Sequence, residues 1–375
     1  MAVTLTAEQR ELRTVVRGFF ADRSDEAEVR RQMDTAQGYD PALWRQMAEQ
    51  LCLQGMAVPE EFGGAGFGHV ELGLVLEEAG RAVFGGPLLS TALAAEAIRA
   101  AGDEAARKEL LPQLAEQGAV GAVAVLDVPG GWSADDVATA AERSGADWTI
   151  TGTKIHVVDA AAAALLVVAA RTADGPALFV VETRADGVTL TPEPTLDQTR
   201  KQARVELAGA PARLLGEVSA GRAAVERLLA TGAIHLAAEQ VGVAARALEL
   251  AVEYSQTRYQ YGRAIGSFQA IKHLCADVLT AVETARSAAY AGLLALDTDD
   301  PELALTAGAA KVFCSETATA ATATCIQVHG GIGFTWEHPA HLYFKRAKAS
   351  ESLFGTPAAH RERLADALGL SGGAR

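Results

Sequence analysis

The hydrophobic period changes twice along the chain, and this constrains the fold more than any other feature. Up to about Gln117 apolar residues recur at three- and four-residue steps; from about Gly118 to Gly216 they form short β-branched runs; from Glu217 the helical spacing returns. In the first zone TAEQRELRTVVRGFFADR sets Leu12, Val15, Val16, Phe19 and Phe20 on one helical face. Thr6 and Gln9 have the spacing of a capping box, and Pro41 suits the first turn of a helix carrying Leu43, Trp44 and Met47. VPEEFGGAGFG, from Val58 to Gly68, cannot continue a helix and reads as a loop.

In the middle zone AVGAVAVLDV, DWTITGTKIHVV, ALLVVAAR, PALFVVET, VTLTPEP and ARVELAG each have strand length. Short strands in series, without long helices between them, predict an antiparallel barrel or sandwich. The third zone carries helix formers to Ser255 and again from Phe268 to Leu296, until Asp297-Thr-Asp-Asp-Pro301 interrupts the pattern. The expected organisation is α+β, with a helical domain over 1–117, a β domain over 118–216 and a helical domain over 217–375.

Apolar residues make up 49% of the 375 against 21% charged, the balance of a folded globular chain. A formal net charge of −14 argues against nucleic-acid binding, which relies on clustered Lys and Arg. No continuous apolar stretch reaches the roughly 20 residues of a membrane span. The start, MAVTLTAEQRELR, lacks a basic segment followed by an apolar one, so a cytoplasmic location is expected. Cys52, Cys275, Cys314 and Cys325 have neither CxxC nor zinc-type spacing and read as buried free thiols. His329, His338 and His341 lack a carboxylate or HExxH context, and no metal is assigned to them.

TRYQYGRAIGSFQAIKHLCAD (Thr257 to Asp277) and QVHGGIGFTWEHPAHLYFKRAKAS (Gln327 to Ser350) closely resemble the C-terminal helical domain of acyl-CoA dehydrogenases. The Val58–Gly68 loop resembles the family's N-terminal loop. WTITGTKIHV resembles a signature strand pair of its middle domain, with Gly152 at the hairpin turn and Lys154 after it, and LDQTRKQARVEL resembles that domain's closing segment. The resemblance implies an N-terminal helical domain, a small middle β-barrel and a C-terminal four-helix bundle. It also implies FAD and an acyl-CoA thioester substrate, from which a carboxylate removes the α-proton while the β-hydrogen leaves as hydride.

Carried over residue by residue, the family's R-x-x-F-G arginine falls on Arg258, which would reach the pyrophosphate of FAD held by a neighbouring subunit; Tyr261-Gly262 replaces Phe-Gly. Gln269 matches a glutamine on the same cofactor. Gln327, Val328, His329, Gly330 and Gly331 match the segment that wraps its adenine end, and Gly355 and Thr356 belong to the same cofactor set. The flavin bed is poorer. Of the family's C-x-T-E-P-x-x-G-S-D pattern, VAVLDVPGGWSADDVA keeps only Pro129, Gly130 or Gly131, Ser133 and an Asp, and Val157-Val158 stand where Ser or Thr usually faces the ring. The catalytic glutamate of YEGT falls on Phe354, and the alternative family position falls near Gly232. Glu351, Glu239 and Glu226 are substitutes by proximity, with His235 one turn from Glu239.

A kept cofactor clamp with a lost base resembles the non-catalytic half of the α2β2 acyl-CoA dehydrogenases, in which one of two homologous subunits carries the glutamate. This reading implies a homologous partner subunit and an electron-transfer flavoprotein or similar acceptor. Two others stay open: a self-sufficient flavoenzyme with a relocated base or different flavin chemistry, and a non-catalytic scaffold or acyl-CoA-binding protein.

Overall fold

The computed structural model describes residues 4–128 and 131–370. In chain order come α1 (Ala7–Arg23), α2 (Glu26–Met33), α3 (Pro41–Leu51), α4 (His69–Arg81), α5 (Leu88–Ala101) and α6 (Glu104–Ala115). Seven strands follow: β1 (Gly121–Ala124), β2 (Ala140–Ser144), β3 (Asp147–Val158), β4 (Leu165–Thr172), β5 (Gly175–Glu182), β6 (Val188–Glu193) and β7 (Gln202–Leu214). The rest is α7 (Gly221–Thr257), β8 (Tyr259–Gln260), β9 (Arg263–Ala264), α8 (Gln269–Asp297), α9 (Leu303–His329), α10 (Ala340–Ser352) and α11 (Pro357–Ala367). The Thr6–Gln9 capping box forms as expected, and Asp40 with Pro41 starts α3. Two compact units emerge, one of residues 1–30, 73–84 and 233–375, the other of residues 31–72 and 85–232.

The second unit holds the barrel. Strands β4, β2, β3, β7 and β5 close on themselves because β4 also pairs with β5, and β1 and β6 attach to β4 and β7. Most pairings are antiparallel, but β4 runs parallel to both β1 and β2, which the strand pattern alone did not distinguish. Ile150, Val167, Phe179 and Val205 are buried in this unit, as is an ion pair between Lys154 Nζ and Asp127 at 2.7 Å. Burial lowers the Lys154 pKa to about 8, and the adjoining carboxylate opposes that shift.

Two strand assignments change. DWTITGTKIHVV is one strand, not a hairpin about Gly152; the reversal lies at Gly145-Ala146, where Ser144 pairs with Asp147 and Gly145 has φ 67°. Gly152 is needed for a different reason, since a Cβ there would stand 2.9 Å from the Thr139 Cα. Strand β2 itself, AAERS, lacks β-branched residues and gave no strand signal.

In the first unit α9 is the hub on which α8, α10 and α11 pack. The C-terminal half of α4 meets α7 backbone to backbone: a Cβ on Gly80 would stand 2.1 Å from Glu239 O, and one on Gly242 would stand 1.8 Å from Glu77 O. Val83, Val243, Val278, Val282, Ala318 and Tyr343 close the core beside that crossing. Arg346, essentially buried, bridges Glu239 at 3.0 Å and the Phe84 carbonyl at 3.2 Å.

One segment, Val218–Thr257, is long and apolar enough for a membrane span by composition, with mean hydropathy 1.3, although 83% of that window is buried within the fold. The thiols divide: Cys314 and Cys325 are buried, whereas Cys52 and Cys275 are only half-buried, a correction to the expectation for all four. Substituting Gly242 by Ala should lower the free energy of unfolding by about 3 kcal/mol, because no rotamer relieves a clash with backbone. Urea denaturation measures it, and a change within experimental error would refute the close crossing.

Candidate functional site

The segment after α7 is a two-residue hairpin. Gln260 pairs with Arg263, and Tyr261 and Gly262 both have positive φ, 53° and 76°, as a type I′ turn requires. Arg258 sits at its base: its N–H donates to Tyr254 O at 2.9 Å, and its carbonyl accepts from Ile265 N–H at 2.8 Å. The backbone is thus fixed while the side chain is exposed. Among the described residues the Arg258 guanidinium makes no ion pair or hydrogen bond. Arg263 is engaged, lying over the Phe268 ring at 4.0 Å. Gln269 opens α8 and is exposed, with Nε2 3.4 Å from His273 Nε2.

The second cofactor motif ends α9. Gln327, Gly330 and Gly331 are exposed, and a Cβ on either glycine would meet nothing within 4 Å. Gly330, at φ 63° and ψ −138°, holds a backbone conformation that side-chain-bearing residues avoid. Val328 and His329 are placed differently from the sequence expectation. Val328 lies in the core with Ala247, Ala251, Cys325 and Ala340, and His329 is 5% exposed and stacked on Tyr254 with centroids 4.3 Å apart. Both side chains face the core, not the surface. That stack also joins the two motifs, since Tyr254 is four residues before Arg258.

Phe354 is 4% exposed and has φ 57° in the turn between α10 and α11. His360 Nε2 donates to its carbonyl at 2.9 Å, and the ring would contact a Cβ on Gly355, whose φ is 102°. Gly355 is buried, and Thr356 is occupied as the cap of α11, its Oγ1 accepting from Ala359 N–H at 3.3 Å. Lys311 holds the turn from the other side, with Nζ donating to Ser315 Oγ, Ser350 O and Glu351 O at 2.8, 2.9 and 3.1 Å. Burial brings the Lys311 pKa to about 7, yet three acceptors and the carbonyl end of α10 favour its proton.

None of the three substitute carboxylates stands unpaired. Glu239 is buried against Arg346, Glu351 pairs with Lys348 at 2.5 Å and accepts from Thr319 at 3.1 Å, and Glu226 lies exposed on the surface 3.4 Å from Arg222. His235 is fully buried. The histidine trio forms rings in contact, His329 on His338 at 4.1 Å and His341 on Trp336 at 4.6 Å. No cluster of three metal-ligating side chains occurs among the described residues.

On the barrel, Pro129 and Gly130 lie outside the described residues. Ser133 Oγ accepts from Asp135 N–H at 3.2 Å, and Val157 and Val158 are buried apolar residues. Between them and Lys154 stands a residue the sequence did not single out: His156, at φ 53°, half-exposed, with Nδ1 3.2 Å from Glu193 and 3.1 Å from Gln202. No periodicity reports a left-handed residue inside a strand. The first unit also contains a cavity of 440 Å³ over Phe20, Val83, Leu250, Leu342 and Tyr343. Arg17, at its edge, is committed to Glu78 at 2.7 Å.

Family models of the acyl-CoA dehydrogenase N-terminal, middle and C-terminal domains match residues 6–118, 122–207 and 219–369. The chain belongs to the acyl-CoA dehydrogenase family. It is 36% identical to acyl-CoA dehydrogenase IpdE2 of Mycolicibacterium smegmatis over 359 residues, 96% of this chain and 98% of that protein. A variant of the Tcur3481-Tcur3483 steroid ACAD superposes with a TM-score of 0.90 at 32% identity, covering 98% of this chain and 99% of that one. The ChsE4-ChsE5 complex of Mycobacterium tuberculosis also gives 0.90, at 27% identity over the whole of both chains. Acyl-CoA dehydrogenases are FAD-dependent oxidoreductases acting on acyl-CoA, and the exposed, uncommitted guanidinium of Arg258 has the charge that the cofactor's pyrophosphate calls for.

Burial depresses the His360 pKa to about 4 from 6.5, opposed by its bond to Phe354 O. The unfolded chain therefore binds this proton first as pH falls. Stability is held above about pH 6.5 and declines by up to about 3 kcal/mol on the way to pH 4. Urea unfolding at a series of pH values should show that slope, and it should flatten in His360→Gln, whose amide still reaches the carbonyl; an unchanged slope would assign the acid sensitivity elsewhere.

Proposed function

We propose that this chain is the base-lacking subunit of an FAD-dependent acyl-CoA dehydrogenase and completes the cofactor site of a homologous subunit, in an α2β2 assembly. The observation that carries the reading is a contrast. Phe354, at the position where the resemblance puts the family's base, is buried and has no proton acceptor in its side chain, while Arg258 stands exposed with its charge uncommitted. Two solved neighbours carry two-component names, Tcur3481-Tcur3483 and ChsE4-ChsE5, which is in keeping with a paired arrangement.

In this reading Arg258 and Gln269 bind the pyrophosphate side of FAD, and Gln327 with the Gly330-Gly331 backbone bounds the adenine side. Tyr261 sets the hairpin that carries Arg258. FAD, when bound, supplies the two-electron oxidant, and the partner supplies the carboxylate that takes the α-proton. Val157 and Val158 offer no hydroxyl to a ring on this chain's own barrel. The acceptor is an electron-transfer flavoprotein or a similar carrier, and the location is cytoplasmic. A relocated base is disfavoured by the pairing of Glu239 with Arg346 and of Glu351 with Lys348.

An arginine serving a neighbour's cofactor contributes only in the assembly, so flavin affinity is linked to association. Purified alone, the chain should carry little flavin; co-purified with its homologue, it should yield a yellow complex active on an acyl-CoA. Arg258→Ala should lower the flavin content of that complex about tenfold, and Glu239→Gln or Glu351→Gln should leave the flavin bleaching by acyl-CoA intact in whatever complex folds. Stoichiometric flavin and turnover in the isolated chain would overturn the proposal. Unaltered flavin retention in the Arg258 variant would instead leave a scaffold role.

A further inference from the structure

The segment from Gly330 to Glu337 exposes Gly330, Gly331, Ile332, Phe334 and Trp336, yet its two ends are drawn together inside the protein. His329 closes α9, His338 stands two residues before α10, and their ring centroids are 4.1 Å apart at an interplanar angle of 45°. Tyr254, from α7, stacks on His329 at 4.3 Å and 27°. Each imidazole also serves a helix end. His329 Nδ1 lies 2.7 Å from Cys325 O, so this nitrogen carries a hydrogen and donates to the last turn of α9. His338 Nδ1 accepts from Ala340 N–H at 3.2 Å, so its lone pair caps the first turn of α10, a role the side chain of Pro339 cannot fill.

We infer that the Tyr254–His329–His338 stack is a proton-sensitive staple that closes the base of the 330–337 loop, and that protonation of His338 opens it. A proton on Nδ1 would turn the acceptor into a donor facing both Ala340 N–H and the positive end of α10. Charge on His338 would also lie against a second imidazole in a partly desolvated site. Burial accordingly holds both rings below the usual histidine value, and His329 lowers His338 further.

The surrounding groups do not cancel this. From α2, Glu26 favours a charged His338 and Arg30 opposes it. From α10, His341 and Lys345 are near: burial lowers His341 to about 4, and Lys345, Arg30 and His338 add to that shift. From α9, burial pushes the Cys325 thiol up to about 12, so it stays neutral. Tyr254 is the facing group from α7. If Gly330 and Gly331 bound FAD, as proposed above, opening the staple would weaken nucleotide binding in acid although a pyrophosphate keeps its charge there.

Hydrogen exchange of the 330–337 amides in the full chain, corrected for the intrinsic effect of pH, tests the staple. Between about pH 7.5 and about pH 5 these amides should lose protection roughly tenfold more than the middle of α9. His338→Asn keeps an acceptor for Ala340 N–H but removes the ring and its proton, and its loop should exchange equally at both pH values. Loss of protection that is absent from the natural chain, or retained in His338→Asn, overturns the proposal. Imidazole nitrogen NMR at the higher pH should find His338 protonated on Nε2; a hydrogen on Nδ1 also overturns it.

ADP titrated into the co-purified complex of this chain with its homologue, prepared with the natural chain and with His338→Asn, separates this inference from the cofactor reading. ADP affinity that falls in acid for the natural chain but not for His338→Asn supports the link. A staple that opens with no effect on ADP binding refutes the nucleotide role of Gly330-Gly331 and leaves the staple standing.

Discussion

The contact of Tyr254 with His329 is what turns two separate sequence motifs into one surface. Tyr254 lies in the last turns of α7 and His329 ends α9, so their stacked rings fix the exit of one helix against the exit of the other. Arg258 and Gly330 then follow from bonded geometry, each within four residues of a locked ring. Cys325, Val328 and Ala340 fill the space beneath, with Ile265 and Ile271 packed against them. Arg258, Gly330 and Gly331 are exposed while the rings that anchor their backbone are held in place.

The other end of α9 is arranged on a similar plan with different chemistry. Gly308 lets Leu364 and His360 approach, and Lys311, three residues on, reaches the end of α10. Together they hold the turn of Phe354 from both flanks. Buried ion pairs such as Glu239–Arg346 and lone buried cations such as Lys311 are weak sources of net stability because desolvation offsets most of the attraction. Their hydrogen bonds are directional, however, and that fixes the rotation of α10 about its axis. The phenyl ring of Phe354 thus sits in a rigid, buried turn.

Much of this was legible in the residues. Helical spacing placed the helices, and the Thr6–Gln9 box and Pro41 marked two of their starts. The failures have physical causes. Strand β2 was invisible because AAERS pairs through its backbone and owes its place to neighbours on both sides. Gly152 looked like a turn because a glycine forced by close approach and one forced by dihedral angle are the same letter. That the side chains of Val328 and His329 lie in the core was not legible in the motif that names them. Left-handed residues at His156 and Phe354 leave no trace in hydrophobic periodicity.

Tyr261 carries a consequence for any attempt to work with the isolated polypeptide. Its backbone occupies a region where Asn, Asp or Gly would rest more easily, while its ring projects 92% exposed into water. Both choices raise the energy of a lone molecule, offset only in part by an edge-on contact with the Phe268 ring at 6.2 Å. Selection for solubility or heat resistance of the single chain would therefore drift toward a smaller polar residue at the hairpin tip.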